Sequence, residues 1–291
     1  MAFRNILISN HVKLSVKNGQ LLVEKAGDIT PIPLEDIFAL VVDEPTVYFS
    51  TALLCKLANF NILLFVCDEK HLPHGIFQGF QQHSRQYKVV KSQLEIPKPL
   101  EKQVWQAIIK QKIINQARTL EKLELEFEKV ENIAKLVKSG DSDNREGYAA
   151  KVYFEILFSR QMTRRCEHVV NSALNYAYAV VRGAIARELV GYGFLPCIGI
   201  NHESELNNFN LADDFIEPFR PLVDYYVLKY VALENDLLVI EDKRKILEIL
   251  TFDVSVESES YWVMNAVSAM VKSFSTTLRT GTLELKMPTF L

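Results

Sequence analysis

Val12-Lys13-Leu14-Ser15-Val16-Lys17, Asn18-Gly19 and Leu21-Leu22-Val23-Glu24 form the stretch that decides how this chain begins. Apolar and polar residues alternate with a period of two, as on a strand with one face buried. Asn-Gly is the pair best able to take the positive φ angles of a tight hairpin turn, so a strand must return after it. Working outward, Asn5 to Ser9 and Ile37 to Val42 are short apolar runs with strand character. Ser50 is placed to cap a short helix through Ala58, and Ile62 to Cys67 reads as a buried strand. The first residues therefore predict a small β-rich domain with one short helix.

From about Gln86 the texture changes. Val104, Ile108, Ile109, Ile113, Ala117 and Leu120 keep helical spacing, with Lys110, Lys112 and Arg118 between them. Glu121 to Lys138, Asn171 to Leu189 and Tyr261 to Leu278 continue the helical pattern, and Pro97 and Pro99 mark where it starts. The expectation is an α+β chain: a β-rich N-terminal domain over 1–75, a linker over 76–99 and a larger all-helical catalytic domain over 100–291. There is no internal repeat and no low-complexity tract.

The 291 residues are 48% hydrophobic and 24% charged, with a formal net charge of −3. That supports a sizeable core without disulfides. It gives no global sign of nucleic-acid binding, so any DNA partner must be met by locally concentrated basic residues. Four cysteines without a CxxC pair read as reduced thiols. No signal-peptide pattern is seen, and no run approaches the roughly 20 apolar residues of a membrane span, so a cytoplasmic protein is expected.

Three segments concentrate metal-compatible side chains. In Ser142-Asp143-Asn144-Arg145-Glu146-Gly147-Tyr148-Ala149-Ala150-Lys151, Ser142 or Asp143 would cap a helix and Glu146 would fall in its first turns among small neighbours. In Pro196-Cys197-Ile198-Gly199-Ile200-Asn201-His202, an apolar turn delivers an imidazole, a good donor for borderline divalent ions. In Asn210-Leu211-Ala212-Asp213-Asp214-Phe215-Ile216-Glu217-Pro218-Phe219-Arg220-Pro221, Asp214 and Glu217 share a face on a helical turn and Asp213 points elsewhere. Each has an ordinary reading taken alone: a capping glutamate, a hydrogen-bonded surface histidine, a solvated acidic turn.

Jointly, and in this order and spacing, Asn144-Arg145-Glu146-Gly147, Gly199-Ile200-Asn201-His202 and Asp214-Phe215-Ile216-Glu217-Pro218-Phe219-Arg220-Pro221 resemble the CRISPR-associated spacer-acquisition integrases, the first-numbered Cas proteins. Asn175-Tyr176-Ala177-Tyr178 adds to the likeness, and the form accompanying type II systems is the most similar. The resemblance implies a metal site of Glu146, His202 and an acidic residue, with Glu217 preferred and Asp214 as the other possibility. Two carboxylates and an imidazole favour Mg²⁺ or Mn²⁺. Such a site implies a metal-dependent DNA endonuclease and integrase that inserts spacers by attack of a 3′-hydroxyl on a repeat phosphodiester. The alternative is a catalytically silent DNA-binding scaffold of the same fold. Arg145, Arg164, Arg165 and Arg220 are the candidate phosphate contacts. Implied partners are double-stranded DNA (protospacer and CRISPR repeat), a second copy of the chain in a homodimer, and the small ferredoxin-like second-numbered Cas protein.

Overall fold

Asn18 and Gly19 make the turn that the sequence predicts, at φ 50° and 72°. The computed structural model describes residues 3–79, 83–158 and 168–291, and the chain divides into two compact units, Met1–Ser84 and Arg85–Leu291. The first unit runs β1 (Arg4–Ile8), β2 (Lys13–Lys17), β3 (Gln20–Lys25), β4 (Asp28–Pro33), β5 (Ile37–Val42), β6 (Tyr48–Phe49), α1 (Thr51–Asn59), β7 (Leu63–Cys67) and β8 (Pro73–Phe77). The β2–β3 hairpin pairs Leu14 with Val23 and Val16 with Leu21, which puts the apolar set on one face. Leu14 and Leu21 are fully buried there, beside Leu34, Leu40, Leu53 and Leu57.

Two four-stranded sheets result, in the orders β4-β3-β2-β6 and β1-β5-β7-β8. In the second, β5 lies between parallel partners β1 and β7, and all six of its residues are buried. That explains why Ile37 to Val42 is continuously apolar rather than alternating. Ser50 caps α1 as expected, its Oγ accepting from the Leu53 amide at 3.2 Å. Strand β4 was not legible because it carries Pro31 and Pro33; it is an edge strand, where a missing amide donor costs little.

The second unit contains α2 (Gln86–Leu94), α3 (Lys98–Lys122), α4 (Glu128–Ala134), α5 (Arg145–Leu157), α6 (Val169–Gly191), α7 (Asn210–Ile216), α8 (Arg220–Tyr230), α9 (Ile240–Leu247), β9 (Asp253–Val256), β10 (Glu259–Trp262) and α10 (Val263–Thr280). Helix α3 packs on α5 and α8, while α6 packs on α7, α8 and α10. The chain is thus α+β, a β-rich start followed by a mainly helical part.

Two expectations need correction. The stretch 76–99, read as a linker, holds the end of β8 and the whole of α2. Just before it, Pro73 and Gly75 read as loop residues, but Pro73 opens an edge strand and Gly75 lies within it, where both are tolerated. The second part is also not all-helical, since β9 and β10 pair as a hairpin. Its turn residues Glu257 and Ser258 take φ 52° and 70° without a glycine or asparagine to announce them. Arg164 and Arg165, with the basic block around them, lie outside the described residues.

Candidate metal centre

Helix α5 begins at a tightly made cap. Asn144, at φ 51°, accepts from the Gly147 amide at 3.2 Å. Asp141 accepts from the Arg145 amide at 2.8 Å and the Glu146 amide at 3.1 Å. The capping groups are therefore Asn144 and Asp141, not Ser142 or Asp143. Asp143 instead pairs with Arg145 at 3.0 Å, fixing the guanidinium beside the helix start. Glu146 is in the first turn, where a carboxylate is favoured by the helix dipole.

The acidic segment is a broken helix. Pro218 and Pro221 remove two amide donors, and the chain passes from α7 to α8 across Glu217 and Phe219. Helix α3 ties this broken segment down by its carbonyls. Asn115 Nδ2 donates to the Pro218 carbonyl at 2.7 Å, and Thr119 Oγ1 donates to the Pro221 carbonyl at 2.8 Å. One turn earlier on the same face of α3, Lys112 reaches Glu217.

Lys112 is the centre of the cluster. Its ammonium is 2.6 Å from Glu146 Oε1 and also contacts Glu217 Oε2, so carboxylates from two segments converge on one buried cation. Arg220 holds the other oxygen of Glu217 at 2.8 Å and lies over the ring of Tyr178. Burial would raise the Glu217 pKa, but Lys112 and Arg220 outweigh it and pull the carboxyl down to about 2. Burial likewise opposes the charge on Lys112, and Glu217 and Glu146 keep its pKa above the ordinary value. Glu217 therefore stabilises the metal-free fold above its ordinary pKa of 4.5, and this contribution is lost as pH falls towards 2. The stability gap between the metal-free wild type and Glu217→Gln is expected to close over that range, which urea midpoints measured along it would check.

His202 is set by a loop that side chains hold from three directions. Gln93 of α2 donates to the carbonyls of Leu195 and Ile198 at 3.0 and 2.7 Å. Asn210 donates to those of Cys197 and Ser204 at 3.0 and 2.9 Å. Asp214, fully buried, accepts from the amides of Ile200, Asn201 and His202 at 2.5, 3.2 and 3.1 Å. It also accepts a hydrogen bond from His202 Nδ1 at 2.7 Å. A carboxylate only accepts, so Nδ1 carries the proton and Nε2 presents the lone pair of the neutral ring. That hydrogen bond raises the His202 pKa, and the charge of Glu217 is close enough to contribute. Trp105, two turns before Lys112 on α3, meets the ring edge-on at a centroid distance of 5.9 Å.

Glu146 and Glu217 thus share Lys112, the charge of Glu217 reaches the His202 ring, and the two other acids have different partners. Both oxygens of Asp214 are committed to the His202 loop. Asp213 is paired with Arg182 at 2.7 Å. Arg220, read from the sequence as a phosphate contact, has Glu217 as its partner. Among the described residues, no three His, Cys, Asp or Glu side chains are gathered closely enough to hold a metal ion as they stand. The donor chemistry nevertheless fits a divalent cation. Two carboxylates already share one positive charge, and Oε2 of Glu217 is buried against it.

Lys112, Asn115, Thr119 and Gln93 were not singled out by the sequence. The available signal was spacing: position 112 falls four residues after Ile108, on the apolar stripe, where an unpaired lysine would be costly.

Comparison with known proteins decides the family. A family model described as "CRISPR associated protein Cas1" matches residues 6–237. The chain belongs to the Cas1 family. A relative from Neisseria meningitidis serogroup C (strain 8013), named CRISPR-associated endonuclease Cas1, is 41% identical over 298 aligned positions, covering 100% of this chain and 97% of its own. A second, CRISPR-associated endonuclease Cas1 1 of Francisella tularensis subsp. novicida (strain U112), is 25% identical over 280 positions, covering 87% of each. In fold, the chain superposes on a Cas1 protein from Thermotoga maritima with a TM-score of 0.76 at 16% identity, over 97% of this chain and 99% of that one. A casposase bound to its integration product gives the same TM-score and identity, over 97% and 92%. These Cas1-like folds have the architecture found here. Among the described residues, no helix is long and apolar enough to cross a membrane.

Proposed function

We propose that Glu146, His202 and Glu217 hold a divalent ion, Mg²⁺ or Mn²⁺, and that the chain is a DNA endonuclease and integrase of CRISPR spacer acquisition. The observation that carries this reading is the convergence of Glu146 and Glu217 on one buried charge, next to an imidazole whose tautomer Asp214 sets for ligation through Nε2. Glu217 is the acidic ligand, and Asp214 is the group that orients His202.

A bound ion of this kind supplies Lewis-acid stabilisation of a phosphoryl oxygen and lowers the pKa of a coordinated hydroxyl. The chain's own residues position the reacting groups. A DNA 3′-hydroxyl oxygen forms the new bond to phosphorus and gives up its proton to water, while the repeat's own 3′-oxygen leaves with the electron pair of the broken bond and takes up a proton from water. One phosphodiester replaces another, so no nucleotide hydrolysis is required. Water in place of the 3′-hydroxyl gives the endonuclease reaction. Arg145, about a third exposed and paired only at the surface with Asp143, can exchange that partner for a phosphate. Arg164 and Arg165 extend the same basic role. Arg220 acts on Glu217 instead.

The partners follow from the family. A Cas1 protein complexed with DNA and a complex named Cas6-RT-Cas1–Cas2 are among the solved structures with this fold, with TM-scores of 0.52 and 0.72. They support double-stranded DNA and the second Cas protein as partners here. The β-rich unit is assigned to homodimer contacts, and the cytoplasm is the site of action. The test is strand transfer of a protospacer-like duplex into supercoiled DNA carrying a repeat. Chelation is expected to abolish product and added Mn²⁺ to restore it. DNA binding with no metal-dependent product would instead establish the silent scaffold.

A further inference from the structure

Lys112 sits where a divalent ion would have to sit. Its ammonium is 2.6 Å from Glu146 Oε1 and in contact with Glu217 Oε2. The fold does not depend on it for docking α3 against the acidic segment, because Asn115 and Thr119 already hold the carbonyls of Pro218 and Pro221. Nor does Glu217 depend on it alone, because Arg220 keeps Oε1. Oε2 is the oxygen left to change partner. It is buried, and the ammonium is the partner that another cation would replace.

An ammonium and a divalent ion cannot occupy the same pair of carboxylate oxygens, since their charges repel at contact distance. We infer that Lys112 is a resident counter-cation of the metal centre: it holds Glu146 and Glu217 together in the metal-free protein and is displaced from them when the ion binds. Its removal has two opposite consequences. The metal-free centre loses the contact common to both glutamates and becomes less stable. The metal-bound centre loses a competitor and binds the ion more tightly. A lysine that served the fold alone would give the first effect without the second. The inference rests on the metal-centre reading above.

The experiment is Mn²⁺ binding to the full-length chain, read from the electron paramagnetic resonance of the free ion, with thermal unfolding alongside. Lys112→Met is expected to melt at a lower temperature without metal, to bind Mn²⁺ about tenfold more tightly than wild type, and to gain more in melting temperature on adding Mn²⁺. Lys112→Arg, which keeps the charge, is expected to stay within about threefold of wild type. Unchanged or weaker Mn²⁺ binding by Lys112→Met overturns the inference. So does a Lys112→Met chain that stays unfolded by circular dichroism even with Mn²⁺ present, because the lysine is then a structural group. Glu146→Gln separates the two readings. If wild type binds no Mn²⁺, or Glu146→Gln binds it equally well, the metal-centre reading fails. If Glu146→Gln loses the ion while Lys112→Met does not tighten it, only the role of Lys112 fails.

Discussion

Strand transfer in Mn²⁺ is expected to fall by at least about 10³-fold in Glu146→Ala and again in His202→Ala, each measured against wild type with the same duplex and supercoiled target. A lost ligand removes several kcal/mol of transition-state charge stabilisation, and each ~1.4 kcal/mol is tenfold in rate. Both side chains are partly exposed, so their truncation should leave the fold intact. In Glu146→Ala, Lys112 keeps Glu217 as its partner. In His202→Ala, Asp214 keeps its three backbone donors, and the loop stays in place. DNA affinity, which depends on phosphate contacts, should change little. The double variant is expected to be no slower than the worse single one, because the ligands act as one unit. Unchanged strand transfer in both single variants would sink the proposed chemistry.

How much of this was legible beforehand depends on the kind of signal. The hairpin at Asn18-Gly19, the buried strand Ile37–Val42 and the Ser50 cap were legible because each is a local rule acting on neighbouring residues. Strand β4 and the β9–β10 hairpin broke the local rules, with prolines at an edge and a turn without glycine or asparagine, and only pairing with a neighbour identifies them. The same division runs through the candidate site. Glu146, His202 and Glu217 were singled out because their short motifs resemble a family. Lys112, Asn115 and Thr119 were not, since their meaning lies in what faces them from about a hundred residues away or from another helix. Asp214 is an intermediate case. Its place three residues before Glu217 was visible in the sequence. Its commitment to the Ile200–His202 amides was not, because that depends on the fold closing α7 onto the loop.

Gly199→Ala is expected to cost more at the site than a methyl group suggests. A β-carbon built there would lie 2.2 Å from the His202 carbonyl oxygen, 2.9 Å from Asp214 Oδ2 and 3.1 Å from Asn210 Cβ. None of these can simply swing aside. The His202 carbonyl belongs to the residue whose ring must be aimed. The Asp214 carboxylate is anchored by three amides and the imidazole. The loop must therefore open, and the Asp214–His202 bond is the contact it carries away. Forcing an added carbon into so tight a space costs about 1–3 kcal/mol, and loss of the group orienting a metal-bound histidine costs about 10–100-fold in metal affinity. Mn²⁺ binding is expected to weaken by the upper end of that range, with strand transfer falling in parallel. Gly147→Ala is the control. Its β-carbon would meet only the side-chain end of Asn144, at 2.8 Å from Oδ1, which can rotate away at the cost of one helix cap, about 1 kcal/mol. Gly147→Ala should thus lower the melting temperature while leaving Mn²⁺ affinity within about threefold of wild type. If Gly199→Ala also keeps its Mn²⁺ affinity, the loop is not what places His202, and Asp214 is not its orienting group.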